Sequence, residues 1–148
     1  LHRWRLDVNK GSVKEEALDE RGIEFPRIAP AQQSRNHRYT FALTIDAEGP
    51  PSPALEPNAI IKYDRKNDSS SVHRMSGQRK VGETTFVANP EGKAEDDGWL
   101  LAYDYDPSTD ASALLVIDAR DMSAAPVARV LLPRRVPYGF HGTWVADA

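Results

Sequence analysis

The chain has 148 residues, of which 40% are hydrophobic and 28% are charged, as in an ordinary globular protein. With 19 Lys and Arg against 22 Asp and Glu, its net charge of −3 gives no sign of a basic surface that binds nucleic acid or anionic membranes. It contains no cysteine, which excludes disulfides, thiolate metal sites and a cysteine nucleophile, so any metal must be held by histidines and carboxylates.

Strands are predicted along the chain, and helices are not. Eleven prolines and nine glycines interrupt the sequence, so few stretches keep the 3.6-residue period of a helix. Short segments that are rich in β-branched and aromatic residues and bounded by turn residues are typical of strands. In chain order, these segments are residues 38–44, 59–63, 99–105, 113–117 and 127–132. The sequence therefore predicts an all-β protein.

An aspartate at the end of a short strand recurs three times, as Asp7, Asp64 and Asp118. In each case a turn and a returning strand follow, and the aspartate side chain is expected to close an Asx-type turn. A repeat of about 55 residues with about four strands is similar to a blade of a β-propeller, for which roughly 40–50 residues are typical.

Three polar residues form a second series with nearly the same period. Glu24, Glu83 and His141 each lie in a short segment that follows a returning strand. The innermost strand of each propeller blade lines the central channel, so these side chains would converge on one axis as a candidate metal site. The alternative is that repeated polar residues simply mark strand ends. Fewer than three blades cannot close a ring, so we expect further blades upstream in the same protein.

Five sequence blocks follow one another in a distinctive order. They are EFPRI at residues 24–28, GETTFVANP at 82–90, EDDGWLL at 95–101, LLVIDA at 114–119 and PYGFHG at 137–142. Together they resemble the C-terminal part of the carotenoid cleavage oxygenases, a family that includes the retinal-pigment-epithelium isomerase and bacterial lignostilbene and apocarotenoid dioxygenases. The resemblance covers almost the whole chain. It implies that residues 1–148 are the C-terminal portion of a single seven-bladed β-propeller domain.

The resemblance also implies a metal site on the propeller axis. In that family four histidines hold a non-haem Fe(II), and three of them donate a hydrogen bond to an outer glutamate. His141 matches the last iron ligand, and Glu83 and Glu24 match two of the glutamates. The remaining ligands are expected in the upstream blades. Imidazole nitrogen suits Fe(II), and a carboxylate that accepts the other N–H of the ring fixes its tautomer and raises its basicity.

The implied reaction is the oxidative cleavage of a conjugated C=C double bond in a carotenoid, an apocarotenoid or a stilbene, which gives two carbonyl products. The cofactor would be Fe(2+), and no residue of this chain is expected to act as a general acid or base. The partners would be a small apolar polyene or stilbene, O2 and the upstream blades. This chain by itself is expected to be inactive. The alternative is a catalytically inactive propeller that serves as a binding scaffold, and three further histidines upstream would favour the enzyme.

The sequence also bears on location. No apolar run reaches the roughly 18 residues of a membrane-spanning helix, and no signal peptide opens the chain. We therefore expect a cytoplasmic protein without a transmembrane segment. Peripheral contact with a membrane is compatible with this expectation, and nucleic acid is not expected as a partner.

Two other groups of residues contain side chains that can bind metals. His2, His37 and His73 match no ligand motif, and we expect them to be structural or solvent-facing, with His73 on an exposed strand at residues 69–75. The acidic run at residues 95–97 has the carboxylates that Ca2+ and Mg2+ prefer. Because it stands just before a glycine and an apolar strand, we expect a turn there.

Overall fold

The computed structural model describes residues 1–46 and 56–146, and it confirms the prediction of an all-β protein. Within these residues the helical structure is limited to a 3₁₀ turn at Pro30–Gln32, and no helix is long and apolar enough to cross a membrane. The strands are β1 (His2–Asp7), β2 (Ser12–Ala17), β3 (Ile23–Arg27), β4 (Tyr39–Thr44), β5 (Ala59–Asp64), β6 (Ser69–Arg74), β7 (Lys80–Val81), β8 (Thr85–Ala88), β9 (Gly98–Asp106), β10 (Ala111–Asp118) and β11 (Ala128–Leu131).

The strands form three antiparallel sheets, which we call sheets A, B and C in chain order. Sheet A is the hairpin β1–β2, and sheet B has the order β3-β4-β5-β6. In sheet C, the short strands β7 and β8 both pair with β9, which is followed by β10 and β11. Sheets B and C therefore repeat one plan of four strands, from β3 to β6 and from β8 to β11. This agrees with the predicted propeller blades.

All five predicted strand segments are strands, namely β4, β5, β9, β10 and β11. Their ends differ from the predicted ends by no more than two residues. The strands β9 and β10 are longer than predicted because their pairing continues to the hairpin turn, where Asp106 lies opposite Ala111. Asp106 closes that turn by accepting the N–H of Ser108 at 3.0 Å.

The three repeated aspartates close their turns as predicted. In each case the aspartate Oδ1 accepts the backbone N–H two residues ahead, at 3.1 Å for Asp7, 3.0 Å for Asp64 and 2.9 Å for Asp118. Such a side-chain acceptor satisfies a backbone donor that the strand ladder cannot reach. The flanking hairpins are β1–β2, β5–β6 and β10–β11, so sheet A corresponds to the outer half of sheets B and C.

The main core lies between sheets B and C. Phe41 and Ile60 from sheet B meet Phe86, Leu100 and Ile117 from sheet C, and each is at most 4% exposed. The rings of Phe41 and Phe86 stack with their centroids 5.6 Å apart. Burial of each of these side chains contributes about 1.5–3 kcal/mol. This packing holds the two sheets against each other. It therefore also determines how the residues on their first strands are placed.

The opposite face of sheet B is buried as well. Ala42, Ile61 and Tyr63 form a second cluster, against which Leu1 and Val72 pack. Because neighbouring residues on a strand point to opposite faces, β4 and β5 carry apolar side chains at most positions. A charged residue in this run must therefore find a partner inside the protein.

Lys62 is that charged residue, and it is 7% exposed. Its Nζ donates to Asp96 Oδ2 at 2.5 Å and to a backbone carbonyl at 2.8 Å. Next to Asp96, Glu95 accepts the backbone N–H of Tyr39 at 2.8 Å. The expected turn is present at residues 95–96. The carboxylates of Glu95 and Asp96 thus join the segment before β9 to sheet B.

The strands β8 and β9 approach each other closely at Gly98. A Cβ atom at this position would lie 2.3 Å from the carbonyl oxygen of Val87 and 2.8 Å from the ring of Phe86. Only glycine permits this approach. The contact seats β8 against β9 and so determines where Glu83, two residues before β8, is placed.

Candidate metal centre

Glu83 is the centre of a polar cluster at the first strand of sheet C. It lies in the link between β7 and β8, and its side chain is 5% exposed. Two parts of the chain contact it: Arg27, at the end of β3 in sheet B, and residues 141–142, which lie outside the described strands. Packing of sheet B on sheet C therefore builds this cluster.

The Glu83 carboxylate accepts three hydrogen bonds. Arg27 Nε donates to Oε1 at 2.8 Å, and the backbone N–H of Gly142 donates to Oε2 at 2.7 Å. His141 Nδ1 lies 3.2 Å from Oε1. Burial raises the pKa of Glu83, but the hydrogen bonds from Arg27, Gly142 and His141 outweigh it and hold the pKa below its usual value. The group is therefore an ionised acceptor at neutral pH.

This contact determines the tautomer of His141. An ionised carboxylate can only accept, so Nδ1 must carry the proton and the neutral ring keeps a lone pair on Nε2. Nε2 makes no hydrogen bond within the described part of the chain, and the side chain is 72% exposed. The ring of Phe25 meets the imidazole edge-on, with the centroids 5.4 Å apart. His141 is thus held on one side and open on the other, as a metal ligand requires.

The structure does not bring Glu24 to His141. Glu24 lies on β3 opposite Leu43, and its side chain is exposed. Among the described residues it makes no side-chain hydrogen bond or ion pair. Of the two glutamates singled out in the sequence, Glu83 contacts His141, and Glu24 faces solvent. The three residues also differ in local structure, because Glu24 is inside a strand whereas Glu83 and His141 are not.

Arg27 is the residue that sequence reasoning missed. Besides its bond to Glu83, its second terminal nitrogen donates to the carbonyl of Gly142 at 2.9 Å. It stands in the same EFPRI block as Glu24, three residues further on. The position of Arg27 in that block was the only sign in the sequence that it belongs to the site. Nothing in the block shows that the arginine reaches Glu83.

A cavity of about 380 Å³ adjoins this cluster, and Glu83 and His141 both contribute to its lining. Its lining is largely apolar and includes residues from β9, β10 and the C-terminal segment. The principal lining side chains are Leu101, Tyr103, Leu114, Pro137, Phe140 and Trp144. An apolar cavity beside a histidine with an open nitrogen suits a hydrocarbon ligand better than a charged one.

The chemistry of the donor set fits a transition metal at one position. His141 offers an imidazole nitrogen, which Fe(II) accepts well, and Glu83 supports that ring. In the part of the chain that the structure describes, no group of three or more His, Cys, Asp or Glu could hold a metal. As a metal centre, this cluster would therefore offer one ligand from His141 and one outer carboxylate from Glu83, and a complete site would need further ligands.

The other histidines have structural contacts. His2 stacks on Trp4 and lies 2.7 Å from Glu15, and His37 lies next to an arginine. The first three residues of β6 are exposed as expected, but His73 on this strand is only 7% exposed. Burial lowers the pKa of His73, so the buried ring is neutral at pH 7. The expectation of an exposed position was wrong for His73, and its structural role is confirmed.

Comparison with known proteins agrees with this fold. The family model described as retinal pigment epithelial membrane protein matches residues 1–146. The class defined by the repeated four-stranded sheets is thus the β-propeller, and the chain belongs to the retinal pigment epithelial membrane protein family, which includes the carotenoid cleavage oxygenases. The resemblance inferred from the sequence blocks is confirmed.

Two relatives and one solved structure illustrate the match. The carotenoid cleavage oxygenase of Mycobacterium tuberculosis is 38% identical over 147 residues, which cover 97% of this chain and 28% of that protein. The apocarotenoid-15,15'-oxygenase of Synechocystis is 32% identical over 144 residues, covering 97% of this chain and 29% of that protein. The crystal structure of cobalt-substituted apocarotenoid oxygenase from Synechocystis superposes with a TM-score of 0.90 at 30% identity, covering 99% of this chain and 30% of that one. The chain thus spans less than a third of the length of these relatives.

Proposed function

We propose that this chain forms the C-terminal blades of a non-haem Fe(II) dioxygenase that cleaves a conjugated C=C double bond of a carotenoid, an apocarotenoid or a stilbene to two carbonyl products. The observation that carries the proposal is the pair of His141 and Glu83, with Nδ1 of the imidazole 3.2 Å from the carboxylate and Nε2 open. Family membership and the names of the relatives support a carotenoid or an apocarotenoid as the substrate.

In this proposal each residue has a defined task. Bound iron supplies the redox chemistry by which O2 reacts with the double bond. His141 would contribute Nε2 as one ligand, and Glu83 accepts a hydrogen bond from Nδ1–H, which orients the ring and places a negative charge beside it. The apolar cavity next to His141 provides a dry surface for a polyene chain. None of these residues needs to give up or take up a proton during the reaction.

The remaining ligands would come from other blades of the same protein. Sheet A has two strands where sheet B has four, so it is incomplete as a blade. Glu24 faces solvent in this chain, and we propose that it accepts a hydrogen bond from a histidine of another blade. We refer to this chain together with its remaining blades as the complete protein.

The complete protein provides the test. Purified with iron, it is expected to contain about one equivalent of metal, because four imidazoles make one site. Incubation with several polyenes and a stilbene, followed by identification of the products, should give two carbonyl compounds from one of them. A protein that is purified without iron and stays inactive after iron is added would contradict the proposal and favour a binding scaffold.

Removal of the charge on either glutamate is expected to weaken the metal site. Glu83→Gln and Glu24→Gln keep the shape and one acceptor oxygen, so the metal affinity of the complete protein should fall by roughly 10–100-fold. Metal titration monitored by competition with a chelator measures this effect. Glu15→Gln is the matched control, since Glu15 also pairs with a histidine, at 2.7 Å, but far along the chain in sheet A. Wild-type affinity in Glu83→Gln would refute the assigned role of Glu83.

The 148-residue chain expressed alone is expected to self-associate. Trp4, Leu6 and Val13 on sheet A are 57%, 72% and 64% exposed, and Leu131 on the outer strand of sheet C is 74% exposed. Apolar side chains on unpaired strand edges favour aggregation, and a single imidazole binds iron weakly. Sedimentation and metal analysis of residues 1–148 test this. A monodisperse monomer that holds one equivalent of iron would contradict the expectation.

A further inference from the structure

Arg27 connects three separate parts of the site. It stands at the end of β3 in sheet B, and its Nε donates to Glu83 Oε1 at 2.8 Å in sheet C. Its terminal nitrogen donates to the carbonyl of Gly142 at 2.9 Å. Both acceptors are neighbours of His141: Glu83 holds its ring, and Gly142 follows it in the chain. The side chain of Arg27 is 38% exposed, so it is partly shielded from water.

The local backbone explains why Arg27 reaches this place. The pairing of β3 with β4 shifts register between Glu24 and Arg27, which marks a bulge in β3. Within the bulge Phe25 has a positive φ of 51°. The bulge turns two side chains toward the C-terminal segment, because Phe25 packs edge-on against the imidazole of His141 while Arg27 binds Glu83. The same irregularity of β3 thus supports the histidine from two sides.

The two donors on Glu83 Oε1 are not equivalent. The charged guanidinium lies 2.8 Å from this oxygen, whereas the imidazole Nδ1 lies 3.2 Å from it. Hydrogen bonds from a charged donor are stronger, so the guanidinium determines the position of the carboxylate and the imidazole follows it. The planar fork of arginine fixes both of its acceptors at a defined angle, which a lysine ammonium cannot do.

We propose that Arg27 is a positioning residue that holds Glu83 and the backbone of Gly142, and through them orients His141 toward the metal. The inference rests on the proposed function, since it assumes that His141 is a ligand. It extends that function by assigning a role to a residue that touches neither metal nor substrate. A merely structural role would be to tie sheet B to sheet C, and the experiment must separate the two.

The test uses the complete protein with Arg27→Lys, Glu83→Gln and the double variant. Arg21→Lys is the matched control, because Arg21 also forms an ion pair, with Asp19, and reaches a second element by donating to Ser70 at 2.8 Å. Two quantities are measured without any assay of cleavage. One is the affinity for Co2+, the metal present in a solved relative. The other is the rate of amide hydrogen exchange at Gly142 in the metal-free protein.

Arg27→Lys is expected to lower the Co2+ affinity by roughly 10-fold and to speed exchange at Gly142, as expected for loss of a group that supports a ligand. In the Glu83→Gln background the same substitution should lower the affinity little further, because residues that act through one another are not additive. Arg21→Lys should leave both quantities at the wild-type level.

Three outcomes would overturn the inference. The first is an unchanged rate of amide exchange at Gly142 in Arg27→Lys. The second is fully additive losses of Co2+ affinity in the double variant. The third is a loss of Co2+ affinity in Arg21→Lys that equals the loss in Arg27→Lys and accompanies an equally lowered melting temperature. Failure of the proposed function is seen separately. A wild-type protein that binds no Co2+ rejects the metal site, and exchange at Gly142 then decides whether Arg27 orders this segment. If the wild-type protein binds Co2+ but cleaves no polyene, the proposed reaction is wrong. The Co2+ affinity and the exchange rate at Gly142 still test the role of Arg27 in that case.

Discussion

The substitution His141→Ala is expected to leave the complete protein folded while it removes the metal and abolishes cleavage. In this chain the His141 side chain is 72% exposed and belongs to neither apolar cluster, so its loss opens no cavity in the core between sheets B and C. Glu83 also stays satisfied, because Arg27 and the Gly142 N–H still donate to its two oxygens. Metal affinity is expected to fall by more than the roughly 10–100-fold typical of outer groups. Metal content, circular dichroism and product analysis measure the three parts of this expectation.

His37→Ala is the control for this variant. His37 contacts Arg65 at 3.1 Å and lies outside the cluster around Glu83, so its loss should change neither metal content nor cleavage. Full cleavage with normal metal content in His141→Ala would show that His141 is not a ligand. Loss of the native circular dichroism in that variant would instead contradict the placement of His141 at an exposed and weakly packed position.

The substitution Asp96→Ala is expected to destabilise the protein severely. It leaves the ammonium of Lys62 at 7% exposure without its carboxylate. Breaking one side of a buried ion pair typically costs about 3–5 kcal/mol, because the remaining charge is uncompensated. The Lys62 Nζ also lies 4.3 Å from the centroid of the Tyr39 ring, so a displaced lysine disturbs the packing of β4. The free energy of unfolding, measured by urea titration of the complete protein, reports the loss.

Two further variants identify the cause of the stability loss in Asp96→Ala. Glu15→Ala breaks the exposed pair with His2 and is expected to change the free energy of unfolding by less than about 1 kcal/mol. The double variant Lys62→Met/Asp96→Leu removes both charges and is expected to regain most of the stability, because apolar groups of similar volume replace a buried pair well. A double variant as unstable as Asp96→Ala would mean that lost packing, and not an unpaired charge, accounts for the effect.

The strands, the turns and the repeat could be predicted from the sequence. These features depend on neighbours along the chain. β-Branched and aromatic runs between turn residues predicted β4, β5, β9, β10 and β11 within two residues at each end. The repeated aspartates were predicted to close their turns, and they do so through a backbone N–H only two residues away. Interactions over so short a distance follow from residue type and local geometry alone.

The members of the site were visible in the sequence as a series, but their contacts were not. Glu24, Glu83 and His141 recur at similar intervals, yet only Glu83 reaches His141, from which it is separated by 58 residues. Arg27 is 56 residues from Glu83 and had no assigned role. A carboxylate accepts from any donor near it, so the choice of donor depends on how sheet B packs on sheet C.

The contacts of buried polar residues in the interior also depend on how the sheets pack. The sequence showed a lysine within an apolar run and an acidic turn 34 residues further on, with nothing to join them. His73 was expected on an exposed strand, and it is buried with its Nδ1 3.2 Å from the carbonyl of Met122, 49 residues away. Burial is a property of the surfaces that close over a side chain. For Lys62 and His73 those surfaces come from segments 34 and 49 residues away, and their placement depends on how the sheets pack on each other.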